Sequence, residues 1–181
     1  VSAWLEEALA EVAADATALR AVFPAVGRRC GRGPSDVPGW TVDDVARVRL
    51  LEAAPGAAAE MPGLYRYGDA AEKRAVLRGL SFVDTGDAGR DLVADALRTN
   101  DPRLVTAAMG EYAATHLDDA AYRHGVLKCV FMGIPLADVA GLARRTDEEL
   151  LRMLRSFAAE RAAAGREVPA DLVELLNEQD A

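Results

Sequence analysis

The chain contains two histidines, His116 and His124, and the second stands four residues before Lys128 in the segment AYRHGVLKCVFMGIPL, Ala121 to Leu136. On a helix, His124, Lys128 and Phe131 share one stripe, while Val126, Leu127, Cys129 and Val130 occupy the remaining, mostly apolar directions. An imidazole beside an ammonium can move a proton and stabilise developing negative charge. The same spacing has a bland use: a lysine at the core boundary runs its stem along apolar surface and keeps its amine in water. The chemical reading requires a carboxylate or a bound anion near Lys128, because an unpaired buried ammonium tends to lose its proton.

Other chemistry has less support. His116, His124, Glu111, Asp118 and Asp119 are ligand types for a metal, but they lack HExxH or comparable spacing, so no metal site is expected. Cys129 lies in an apolar setting that favours an inert core thiol. Cys30 is distant in sequence, with no CxxC or Cys/His cluster, so neither a disulfide framework nor a zinc site is suggested. There is no GxSxG, P-loop or GxGxxG segment, and no cofactor is expected. Arg144 and Arg145 precede a helix start, where they could meet an anion together with free backbone amides or stand as a solvated pair.

The elements that must position these residues are helices. Trp4, Leu5, Leu9 and Val12 have helical spacing, continued by Leu19, Val22 and Phe23, with Pro24 marking a break or kink. After the Gly- and Pro-rich loop GRGPSDVPGW, Thr41 and Asp44 form a capping box for a helix that Pro55 and Gly56 stop. MPGLYRYGD reads as an irregular surface connection. Asp69 caps the next helix, GRDLVADALRTN forms another ending near Asn100, and Asp101–Pro102 is the cap and first position of the one after. The helix holding His124 enters at Asp118 or Asp119 and closes around Gly133 and Pro135. Thr146 and Glu149 make a capping box for DEELLRMLRSFAAERAAAG, and PADLVELLNEQ is the last helix. The chain therefore reads as one all-α domain over 1–181, either stacked helical hairpins of HEAT type, which are preferred, or a compact bundle.

Composition narrows the partners. The 181 residues are 51% hydrophobic, enough for a sizeable core, and carry a formal charge of −8. The nearest approach to a basic patch is Arg28, Arg29 and Arg32 in VGRRCGRG, so nucleic acid is not an expected partner. The most apolar run is interrupted by Lys128, Pro135 and Asp138, and Glu6, Glu7 and Glu11 fall where a signal peptide would be apolar. A cytoplasmic, soluble protein is expected.

The segments GWTVDDVARVRLLEAA, ALRTNDPRLV and, above all, HGVLKCVFMGIPLADVAGLARRTDEELLRMLRSFAAERAAAGREVPADL resemble EboA, the helical protein of the ebo clusters. The resemblance covers about the last two thirds of the chain; the first thirty residues share only helical character. It implies an accessory role in making or exporting a secondary metabolite. The implied partners are a small-molecule intermediate or a pathway protein, with peripheral association to a membrane prenyltransferase-like protein. Lys128, the Gly133–Pro135 turn, Arg98 and Asn100 in RTN, His116 in HLD, and Arg145 match the family pattern. The chain departs from it at GEYA, where many relatives have Asn-Pro-Tyr-Pro and only Tyr112 is kept. It departs again at Tyr122, Arg123 and His124, where relatives have Trp-Asn-Gln. The expected site is a pocket near Tyr112, His124 and Lys128. An accessory protein binding an intermediate or a partner is the first reading. An enzyme with His124 as acid or base and Lys128 as anion stabiliser is the second.

Overall fold

The computed structural model describes residues 2–181, and among them twelve α-helices and three short 3-10 turns account for all regular structure. The chain is all-α, as its periodicity requires, and it divides into two compact units after Val93. The first five helices are α1 (Ala3–Ala14), α2 (Leu19–Cys30), α3 (Val42–Ala53), α4 (Ala57–Tyr67) and α5 (Ala70–Gly79). The division falls inside α6 (Gly89–Leu97). The remainder are α7 (Pro102–Ala108), α8 (Glu111–His116), α9 (Asp119–Phe131), α10 (Leu142–Arg145), α11 (Glu148–Ala163) and α12 (Ala170–Asp180).

In the N-terminal unit, α3 packs against α1, α2 and α5, while α4 packs on α2 and α5. One central helix with neighbours on several sides is a bundle, the second of the two arrangements that short helices allow. Phe23, Leu50, Leu51, Met61 and Leu77 are among its fully buried side chains, each contributing about 1.5–3 kcal/mol of transfer free energy. Gly79 admits Leu51: a Cβ added there would stand 2.6 Å from Leu51 Cδ1.

In the C-terminal unit, α9 packs on α7 and α11, and α11 on α12. Leu150, Leu154 and Leu172 are fully buried. The phenol of Tyr122 donates to the Ala140 carbonyl at 2.7 Å, tying α9 to the segment before α10. At Gly125 the backbone of α9 approaches Met109 so closely that an added Cβ would clash with its Sδ.

Local capping signals are realised where the cap and its target are adjacent in sequence. Asp69 and Glu72 form a full capping box on α5, Thr41 and Asp44 another on α3, and Asp101 with Pro102 opens α7. Three expectations are corrected. The N-terminal break lies at Asp15, whose carboxylate accepts from the Thr17 N–H at 2.9 Å, and Pro24 sits inside α2. The segment expected to be irregular is mostly helical: α4 contains Pro62 and buries Ala57, Met61, Leu64 and Tyr65 along one face, and that burial outweighs the local Pro-Gly signal. The cap of α11 is Asp147, which accepts from the Leu150 N–H at 2.9 Å. Thr146, one residue earlier, leaves its hydroxyl buried and without a hydrogen bond.

Candidate functional site

The stripe expected on α9 is present. His124 is exposed, Lys128 is half-buried, and Phe131 is 69% exposed. Lys128 Nζ donates to Asn100 Oδ1 at 3.1 Å, so the ammonium meets a neutral amide oxygen. The other expected residues form separate local contacts. Tyr112 is buried with its ring stacked on His116, centroids 4.3 Å apart. Arg98, just past the end of α6, is exposed and pairs with Asp95 of that helix at 3.0 Å. Arg145 donates to the Leu117 carbonyl at 2.9 Å and lies 4.5 Å over the Tyr122 ring, a position that satisfies the end of α8. Arg144 pairs with Glu111. Burial pushes the Cys129 thiol up to about 12, so it is an inert core group.

Two cavities lie in the N-terminal unit, and none of those residues lines either of them. The larger, of about 620 Å³, is bounded by the start of α1, the end of α2, the loop that follows it, and α3. Leu5, Val42, Val45 and Ala46 supply an apolar floor, with Arg29, Arg49 and Asp36 as charged members. A volume and lining of this kind suit a small organic molecule. The second, of about 480 Å³, has Arg20 held on Glu60 at 2.7 Å in its lining.

The loop wall of the larger cleft is fixed from within. Ser35 N–H donates to the Trp40 carbonyl at 3.0 Å, and Val42 N–H donates to the Gly33 carbonyl at 2.9 Å. The Ser35 hydroxyl accepts from Val37 N–H at 3.1 Å and donates to the Trp40 carbonyl at 3.0 Å. Behind this loop stands a charged cluster that sequence reasoning missed. Asp43, Asp44 and Arg47 are fully buried. Arg47 bonds Asp43 at 2.7 Å and the Phe23 carbonyl of α2 at 3.1 Å, leaving Nη2 buried and unpaired. Asp44 accepts from Arg74 at 2.9 Å and Arg78 at 2.6 Å, both on α5, and from Thr41 N–H at 3.0 Å. Arg78 also donates to the Gly39 carbonyl at 3.0 Å and lies 4.7 Å over the Trp40 ring, so the cluster clamps the loop to α3 and α5. Burial alone would raise the Asp44 pKa, but the Thr41 amide and the two guanidiniums outweigh it and hold it below the usual carboxylate value. The available signal was the Asp43–Arg47 spacing of four on a helix whose other positions are largely apolar.

The model of the family described as metabolite traffic protein EboA matches residues 30–177, most of the chain. The chain belongs to the EboA family. The EboA match takes in α3 to α11, the clamp and both sides of the α9 stripe, while α1 and most of α2 precede it. No match was found among the curated proteins or among the solved structures. Among the described residues, no helix is long and apolar enough to cross a membrane.

Proposed function

We propose that the chain is a non-catalytic accessory protein of a small-molecule pathway, holding a metabolite of that pathway in the cleft between α1, α2 and α3. The observation that supports this is the cleft itself: about 620 Å³, apolar at its floor, with a wall hydrogen-bonded into place. The family description as a metabolite traffic protein points the same way. By the resemblance, the pathway makes or exports a secondary metabolite, and the molecule passes to a pathway protein or a membrane prenyltransferase-like protein; the two separate free cysteines, Cys30 and Cys129, support a reducing, cytoplasmic setting. Native mass spectrometry of protein recovered from its own host tests the reading. A non-covalent adduct is expected on the wild type and on Lys128→Ala and lost on Val45→Phe, which fills the cleft. An adduct lost on Lys128→Ala and kept on Val45→Phe would sink the reading.

A second reading is favoured by the Lys128–Asn100 contact beside the exposed His124. In it, an enzyme uses His124 as acid or base and Lys128 as anion stabiliser, with Arg98, Tyr112, His116 and Arg145 shaping the surroundings. His124→Gln would then abolish conversion of the adduct while leaving its retention intact.

A further inference from the structure

We infer that the cleft between α1, α2 and α3 takes an amphiphilic anion, with its apolar body on the floor and its acidic headgroup between Arg29 and Arg49. The inference rests on the proposed small-molecule role of that cleft and adds the chemical class. The chain carries a formal charge of −8, yet the cleft lining includes two arginines against one aspartate, Asp36. The lining itself thus carries an excess of positive charge, with Glu6 standing beside Arg49 outside it. Part of the VGRRCGRG segment finds its place here, since Arg29 projects from the last turn of α2 into the lining.

Both guanidiniums are lightly held. Arg29 stands 6.0 Å over the Trp4 ring, a contact that leaves its donors unassigned. Arg49 reaches Glu6 only at 4.0 Å, with both side chains well exposed, and such a pair exchanges readily for a better acceptor. By contrast, Arg74 and Arg78 on the other side of the loop are held on Asp44, Thr41 and the Gly39 carbonyl, and Arg47 is sealed in the core on Asp43 and the Phe23 carbonyl. Both arginines of the cleft lining can therefore accept a new anion. Beneath them, Leu5, Val42, Val45 and Ala46 offer no hydrogen-bond partner to a polar body. A headgroup of carboxylate, phosphate or sulfonate type, on an apolar body, satisfies both halves of the lining.

A pair of fluorescent probes isolates the headgroup. 1-Anilinonaphthalene-8-sulfonate and N-phenyl-1-naphthylamine share an apolar body and differ by the sulfonate. The full chain should bind the sulfonate about tenfold more tightly, and Arg29→Gln or Arg49→Gln should each remove most of that preference while leaving the neutral probe within about twofold. Decanoate or decyl phosphate should displace the sulfonated probe at concentrations where decanol does not. Equal binding of both probes, or equal displacement by decanol, overturns the anionic class while leaving the small-molecule reading in place. If Val45→Phe, folded by circular dichroism, binds both probes like wild type, the cleft is not their site and both readings fall.

Discussion

The two units use the same ion-pairing residues to different ends. In the N-terminal unit, Asp43, Asp44 and Arg47 are sealed from water and bind helix to helix and helix to loop. In the C-terminal unit, Arg152–Glu149 spans one turn of α11 and Arg98–Asp95 closes the end of α6, both in solvent. An exposed pair within a helix contributes a few tenths of a kcal/mol, whereas a buried charge depends on its partner to remain tolerable at all. Sequence spacing is similar in the two cases; burial decides which pairs hold the fold.

The sharpest test of that contrast is Arg47→Ala, which strands Asp43 in the core. It should cost about 3–5 kcal/mol in urea unfolding, whereas Arg47→Met, which keeps volume and removes the charge, should cost less. A loss under about 1 kcal/mol for the alanine variant would break the comparison. Next in size is Asp44→Asn, expected to cost about 2 kcal/mol at neutral pH through its weakened bonds to Arg74 and Arg78. Because the folded pKa of Asp44 lies below the unfolded value of about 3.9, its contribution is present above pH 4 and is lost as pH falls through the folded value. The wild type should therefore lose stability in that acid range more steeply than Asp44→Asn. Smallest is Lys128→Ala, whose bond to Asn100 is solvent-facing and whose removal should shift stability by no more than about 0.5 kcal/mol.

These differences explain what could be read from the chain. Asp69–Glu72 and Asp101–Pro102 were legible because a cap acts on amides two or three residues away. The helix α4 was not, since Pro62 and Gly63 signal a break locally and only the burial of Met61 and Leu64 against other helices overrides them. Lys128 at the core boundary was legible from its neighbours on α9. The clamp was hidden because Asp43 and Arg47 look like solvated charges until α2 and α5 close over them. The cleft was hidden for a similar reason: Leu5, Arg29, Val37 and Arg49 come from four separate segments, and no local pattern joins them.

The close approach at Gly125 settles something that α9's own sequence leaves open. Apolar residues surround much of that helix, so hydrophobicity alone would tolerate several rotational settings about its axis. Only Gly125 leaves space for the Met109 thioether, and turning α9 by one residue would bring His124 or Val126 against it. The notch acts as a keyway: it fixes the phase of the helix, and with it the direction in which His124, Lys128 and Phe131 face the solvent.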